Sequence, residues 1–340
     1  MLSKFKLVIN SAREESKKTS RPFFEVLFDI IKSKKKYLAS PLDYQLFGFG
    51  FIKDEKYRRS FLLAPAWRKI SQQVIKDDSQ NFNNKINTYK MFREYFRREV
   101  LIIEEVSKNK IIEFYKKHGT IFAKSKDGYG GLEVERFVYN PDTLEKDISE
   151  ICSGKYHLLE EKIIQHKDMA NLSPNAVSTL RVTMLKNEDK VHFLPTIIRI
   201  SCGESYTDNI SGGGTCIRVE KDGVIRKPAF TEPNAYKYSG KVSEPFYVHP
   251  QTGVNFINYE IPHYREALEY AKELMLKQTA YRYLGFDIAI TQDSVDLVEI
   301  NPSAGYDLYQ YYYHMSPDNM VGARPEIEKF FGYKETFISK

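Results

Sequence analysis

Apolar positions follow two different periods along this chain. Over the first 80 residues the spacing is helical. Phe23, Leu27 and Ile31 recur every four residues, Phe24, Val26 and Ile30 widen the stripe, and Pro22 suits the first turn of a helix. Lys32, Lys34, Lys35 and Lys36 follow at the C-terminal end of that helix, where cations complement the dipole. Residues 81–100 and 107–118 read as two more helices, the first capped by Asn83 or Asn84 and the second stopped by Gly119. From there the period shortens. TIFAKS and LEVERFV read as strands on either side of KDGYGG, and a helix at about 141–151 leads into the strand YHLLEEKI. In the second half STLRVTML and KVHFLPTIIRIS flank a turn at Asn187–Asp189, and TCIRVE and VIRKPAF flank Asp222-Gly223. A helical pattern over 263–283 follows Pro262, and FDIAIT and VDLVEI make a last hairpin across QDS.

Composition narrows the function classes. At 340 residues, two to three packed units are expected. No run of 18 apolar residues exists to span a bilayer, and the apolar stretch at the start breaks too early for a cleavable secretory signal. Three cysteines, Cys152, Cys202 and Cys216, form no CxxC pair, which fits a reducing cytoplasm and no structural zinc. The net charge is +6, and residues 1–40, with ten Lys/Arg against four Asp/Glu, hold all of the surplus. The body of the protein is therefore balanced, which argues against nucleic acid as a partner. For the basic, amphipathic start there are two readings. The stripe packs on the rest of the chain, which is favoured, or it touches a membrane surface or a partner.

Three stretches carry candidate chemistry. Glu299 and Asn301 are two apart on one strand and so share a face, and Asp287 can lie across from them on the partner strand. Two carboxylates and an amide oxygen form a hard donor set suited to Mg²⁺ shared with phosphate, and the apolar residues around them make a merely solvated face a poor alternative. Lys124 precedes a loop with Gly128, Gly130 and Gly131, whose backbone N–H groups could approach a polyphosphate; a glycine-rich turn beside a solvated lysine is the plainer reading. LLEEKIIQH ends a strand in acids and could serve as a nucleotide hinge. His166, His192, His249, His263 and His314 show no metal spacing, and neither Cys202 nor Cys216 has an evident base, so both read as small apolar residues.

The order of these pieces resembles the ATP-grasp superfamily over roughly residues 81–310, through a lysine at a helix start, a lysine before a glycine loop, an acidic hinge and then D…ExN on a hairpin. Within it the chain is most similar to the sugar-transfer-associated and teichuronopeptide-type proteins, on QHKDMANLSPNAVSTLRV, the arginine of TIIRI, DNISGGG and DIAITQDSVDLVEINPSAGYD. The resemblance implies an α+β fold of two lobes gripping ATP. Here it would have a helical region at 1–80, a small lobe at 81–160, a large lobe at 161–325 and a tail at 326–340. It implies Lys85 and Lys124 as phosphate-binding lysines, helped by Gly130 and Gly131. Glu161 is implied as the adenine hinge acid, with backbone groups of Lys162 and Ile164, and Asp168 as the ribose partner. Asp287, Glu299 and Asn301 would hold Mg²⁺. Arg199 would face the γ-phosphate, and Arg181 with Asp208, Asn209, Gly212 and Gly213 the acceptor.

The function so implied is ATP-dependent carboxylate–amine ligation on a sugar acid or amino-sugar of a surface polysaccharide or capsule, in the cytoplasm or at the inner membrane face. Two alternatives stand beside it: a phosphotransferase acting on a sugar hydroxyl, and a non-catalytic docking protein of a polysaccharide-assembly complex. The helical, basic residues 1–80 depart from the α/β domain that commonly leads an ATP-grasp.

Overall fold

The computed structural model describes residues 4–74, 80–127, 134–203, 214–231, 242–316 and 319–332. Its N-terminal region is helical: α1 (Lys4–Thr19), α2 (Phe23–Tyr37), α3 (Pro41–Leu46), α4 (Glu55–Ser60) and α5 (Ala64–Val74). Local chemistry sets several of these ends. Ser40 and Asp43 form a reciprocal capping box at α3, with Pro41 at the first helical position, and the Asp54 side chain accepts from the Lys56 N–H at α4. A buried ionic knot ties the bundle together. The Asp29 carboxylate accepts from Arg58 Nη1 and Nη2 at 2.7 Å each and from Tyr44 Oη at 2.8 Å.

A four-stranded antiparallel sheet follows, built from β1 (Val100–Ile102), β2 (Thr120–Lys124), β3 (Val134–Val138) and β4 (Leu158–Glu161) in the order β1-β4-β2-β3. Helices α7 (Lys108–His118) and α8 (Leu144–Ile151) cover one face, packing Ile111, Phe114 and Ile148 on Ile121, Ala123 and Leu159. Helix α6 (Lys85–Phe92) lies against the other face, through Ile86 and Tyr89 on Leu158. Asn84 caps α6 by accepting from the Ile86 and Asn87 N–H groups. The pattern read as one helix over 81–100 stops at Phe92, because Val100–Ile102 pair with β4 instead, and ladder hydrogen bonds override helical propensity.

The larger sheet has the order β11-β10-β5-β7-β8-β9, with β6 paired to β5. Its strands are β5 (Thr179–Asn187), β6 (Lys190–Phe193), β7 (Ile197–Ile200), β8 (Thr215–Arg218), β9 (Phe230–Thr231), β10 (Tyr283–Ile290) and β11 (Val295–Asn301). The short helix α9 (Lys167–Leu172) precedes it, α10 (Tyr264–Lys277) leads into β10, and α11 (Arg324–Phe331) closes the described chain. KVHFLPTIIRIS splits into β6 and β7 around Pro195, which has no N–H to donate; the two strands pair with opposite ends of β5. The helix expected over 263–283 ends at Lys277, and Tyr283 already belongs to the sheet.

Two cores sandwich this sheet. On one face Leu180, Val182, Ile198, Phe286 and Ile288 pack against Ala267, Ala271 and Leu274 of α10. On the other, Leu185, Ile197, Cys216, Phe230 and Tyr283 meet Tyr44, Phe47, Phe49 and Phe61 of the N-terminal region and Ile327 of α11. The Trp67 ring lies 4.5 Å from that of Tyr283. The N-terminal helices thus pack on the large sheet, each buried aromatic or aliphatic side chain worth about 1.5–3 kcal/mol. The stripe of α2 divides: Val26 and Ile30 are buried and Phe23 and Leu27 half-buried, while Phe24, Phe28 and Ile31 face outward.

Candidate active site

Strand alternation puts Arg181, Arg199 and Asp287 on the same face as Leu185, Ile197 and Tyr283. The N-terminal helices cover the latter three, and the polar residues sit further along the strands. Asp287 pairs in register with Arg181 on one side and with Glu299 on the other. Its Oδ1 accepts from Arg181 Nε, and its Oδ2 from Arg181 Nη2 at 2.9 Å, Arg199 Nη1 at 2.8 Å and Asn301 Nδ2 at 3.2 Å. Burial alone would raise this carboxyl, but Arg181 and Arg199 outweigh it and hold it below the ordinary carboxylate range. Two guanidiniums on one carboxylate leave a net positive charge, a suitable field for an anionic ligand.

This cluster depends on a glycine. A Cβ on Gly285 would stand 2.4 Å from Ala304 Cβ and 3.0 Å from Arg181 Cδ. Gly285 therefore lets the segment after β11 fold back over the sheet and lets Arg181 lie along it to reach Asp287. The β10–β11 register shifts between Asp287 and Ile288, a bulge of the kind that re-aims side chains. Glu299 turns to Lys85 at the start of α6, with Nζ 3.4 Å from Oε1. The backbone N–H of Lys85 in turn donates to the Lys126 carbonyl at 2.8 Å, tying α6 to the end of β2.

Lys124 lies in a second cluster. Its Nζ donates to Glu160 Oε2 at 2.8 Å, and Arg98 donates to the same oxygen from Nε at 3.0 Å and Nη2 at 2.7 Å. Arg98 Nη1 then reaches Asp296 Oδ2 at 2.8 Å and the Leu297 carbonyl at 2.7 Å. One buried guanidinium thereby joins the small sheet to the edge of the large one. Burial would raise the Glu160 carboxyl, yet Arg98 and Lys124 lower it to about 2. Between the two sheets runs a cleft lined by Lys85, Tyr89, Phe96, Glu160, Val298 and Glu299, among others.

On β4, Leu158 and Glu160 face this cleft. Leu159 and Glu161 face α7, where Glu161 accepts from the Glu99 N–H at 3.0 Å and lies 3.5 Å from His118 Nδ1. Lys162 and Ile164 are exposed on the connection from β4 to the large sheet, where the His166 N–H donates to the Ile290 carbonyl at 2.8 Å. Asp168 sits in the first turn of α9, its N–H on His166 Nδ1 at 3.1 Å and its carbonyl on Tyr259 Oη at 2.6 Å. Cys216 is buried with Sγ on the Phe230 carbonyl at 3.3 Å, and burial raises the half-buried Cys202 thiol. Gly130, Gly131, Asp208, Asn209, Gly212 and Gly213 lie outside the described residues.

The structure thus joins Arg181, Arg199, Asp287 and Asn301 in one contact group, Lys85 with Glu299 in a second, and Lys124 with Glu160 in a third. Sequence reasoning did not single out Arg98, Glu160, Asp296 or Gly285. Two adjacent glutamates in a strand carried a usable signal, since one of them must face inward.

Residues 117–317, more than half of the sequence, match the sugar-transfer-associated ATP-grasp family. The chain belongs to that family. The match takes in Lys124, Glu160, Arg181, Arg199, Asp287, Glu299 and Asn301 of this ATP-grasp protein, while Lys85 and Arg98 precede it. Similar solved structures include N5-carboxyaminoimidazole synthase from Aspergillus clavatus, at 16% identity and TM-score 0.42, covering 75% of this chain and 56% of that one. D-alanyl-alanine synthetase A from Vibrio cholerae is similar at 14% identity and TM-score 0.41, covering 76% of this chain and 64% of that one. The ATP-grasp ligase PsnB with a minimal precursor is similar at 13% identity and TM-score 0.44, covering 79% and 68%. The chain therefore spans less than two thirds of the first two proteins. No curated protein matches the sequence.

Proposed function

We propose that this chain is an ATP-dependent carboxylate–amine ligase acting on a sugar acid or amino-sugar destined for a surface polysaccharide. The observation that carries the reading is the charge layout on an ATP-grasp fold. Lys85 and Glu160, the partner of Lys124, bound a cleft between two sheets, and beside it Asp287, Glu299 and Asn301 gather on one hairpin under Arg181 and Arg199. The family's association with sugar transfer supports the substrate class.

In this reading Lys85 and Lys124 hold the phosphates. Lys124 has three N–H donors, and one spent on Glu160 leaves two for an anion. The residues that would hold Mg²⁺ are the Asp287 and Glu299 carboxylates, paired in register, and the Asn301 amide oxygen; the Asn301 Nδ2 donates to Asp287, and Asp287 would have to give up a guanidinium contact to take the metal. Among the described residues no group of three or more His, Cys, Asp or Glu forms a metal cage. A set of two carboxylates completed by phosphate oxygens is the arrangement expected for nucleotide-borne Mg²⁺. When bound, the metal would neutralise charge on the transferred phosphoryl group. Backbone groups of Glu161, Lys162 and Ile164 are assigned to the base, the Glu161 carboxylate being turned to the Glu99 N–H and His118, and Asp168 is assigned to the ribose.

The acceptor carboxylate attacks the γ-phosphorus, forming an acylphosphate and expelling ADP; an amine then attacks the acyl carbon and expels phosphate. Arg199 stabilises the phosphoryl oxygens, and Arg181 draws the acceptor carboxylate. The chain's contribution is positional and electrostatic, with no covalent enzyme intermediate.

Lys124→Ala is expected to weaken ATP binding by about 1.5–3 kcal/mol, the size of a charge-assisted contact. Titration calorimetry with Mg²⁺-ATP reads this directly. Unchanged affinity in a folded variant would remove Lys124 from the nucleotide site.

A further inference from the structure

Helix α2 carries two apolar faces. Val26, Ile30 and Ser33 are buried against the rest of the protein. On the opposite side Phe24, Phe28 and Ile31, at i, i+4 and i+7, are 68%, 67% and 51% exposed, and Lys35 continues the same stripe. Lys32, Lys34 and Lys36 flank it and are exposed as well. Lys36 pairs with Glu55, while no ion pair among the described residues holds Lys32, Lys34 or Lys35. The connection from α1 to α2 is three residues, and the two helices pack on each other. Helix α1 adds Phe5, 75% exposed, and the exposed Lys6, and α2 finishes with its lysines and the 61% exposed Leu38.

We propose that this face is a docking surface for an anionic lipid bilayer, with α2 lying in the headgroup plane and Phe24, Phe28 and Ile31 inserted. Charge complementarity selects the occupant. All six surplus positive charges of the chain lie in residues 1–40, and the remainder is neutral. Interface cores between proteins are depleted in lysine, whereas interfacial helices combine Phe and Leu on one side with lysines beside them. Single exposed apolar residues are ordinary, but a contiguous stripe that runs into a cluster of lysines on an otherwise balanced protein is not; the one exposed acid on α2, Glu25, is paired with Arg21. The face is not part of the cleft, and no helix of the described residues is long and apolar enough to cross a membrane. Attachment would therefore be peripheral.

The test is co-sedimentation of the full chain with vesicles of equal parts phosphatidylcholine and phosphatidylglycerol, against phosphatidylcholine alone. Binding to the anionic vesicles only, weakening as salt is added, is expected. Lys32→Gln, Lys34→Gln and Lys35→Gln together should lower partitioning by about 100-fold, at roughly fivefold per charge. Phe24→Ser with Phe28→Ser should lower it by about tenfold or more per ring. Removing the exposed α7 lysines Lys108, Lys110 and Lys116 should leave it within about twofold, since they lie outside this face. No binding to anionic vesicles, equal loss in the α7 control, or full binding without Phe24 and Phe28 would each overturn the proposal. So would a dimer in vesicle-free solution that the Phe24→Ser/Phe28→Ser variant abolishes, because the stripe would then belong to a second copy.

Discussion

Asp287→Asn is expected to destabilise the protein by about 3–5 kcal/mol and to abolish ATP turnover. The carboxylate is buried and is the anion shared by Arg181 and Arg199, so removing its charge leaves two guanidiniums together in the interior. The substituted amide also turns its N–H groups toward guanidinium donors that offer no acceptor. Glu299→Gln separates the chemical role from the structural one. Glu299 is one-third exposed and contacts Lys85 at 3.4 Å, so stability should change by no more than about 0.5 kcal/mol. ADP release should nevertheless fall by about 10²–10³-fold, the usual loss for one preorganised electrostatic group at a transferring centre. Thermal melts and turnover assays on both variants check this. A stable, active Asp287→Asn protein would deny Asp287 both roles, and wild-type turnover in Glu299→Gln would show that Glu299 plays no part in the chemistry.

The second large effect is expected from Arg98→Ala. Arg98 bonds Glu160 of the small sheet and Asp296 and the Leu297 carbonyl of the large one, so truncation leaves Glu160 with Lys124 alone and Asp296 with the Arg97 N–H alone among the described residues, and removes a buried tie between the sheets. A loss of about 3–5 kcal/mol follows from breaking a buried pair. The pH dependence identifies the cause. Glu160 ionises near 2 in the folded chain against about 4.3 when unfolded, so its contribution is complete above about pH 4.3 and is lost as the pH falls through 2. Buried His314, lowered to about 4 by desolvation, stays neutral while its unfolded counterpart charges below about pH 6.5, giving an earlier loss between those values. Denaturant titrations across pH should show the His314 step in both proteins. The further loss below about pH 4.3 should be reduced in Arg98→Ala. An identical acid profile in both would contradict the role given to Arg98.

The sequence made the large elements legible because each had a clean local signal. Asn84 and Gly119 end helices for reasons of capping and positive φ, and the β10–β11 hairpin showed as two apolar runs around QDS. What stayed hidden depends on which way a side chain turns. Glu160 and Glu161 are neighbours in one strand, and only the packing of Leu158 and Leu159 on different cores tells which acid meets the cleft. Arg98 lay in a stretch whose spacing looked helical, and its partners are about two hundred residues away in sequence for Asp296. Gly285 carried no turn signal, because its role is to admit Ala304 and Arg181. The α2 stripe was visible, but the face that packs and the face that stays open are decided by the large sheet, Val26 and Ile30 inward and Phe24 and Phe28 outward.

The central claim is that two substrates, a carboxylate and an amine, are joined at the expense of ATP. Its most direct test is to incubate the pure protein with Mg²⁺-ATP and panels of sugar acids, amino-sugars and amino acids, following ADP and phosphate together with the masses of the products. Ligation predicts ADP and free phosphate in equal amounts, and a product equal to carboxylate plus amine less water, only when both are present. A phosphorylated sugar formed with no amine in the mixture, and no free phosphate released, would contradict it.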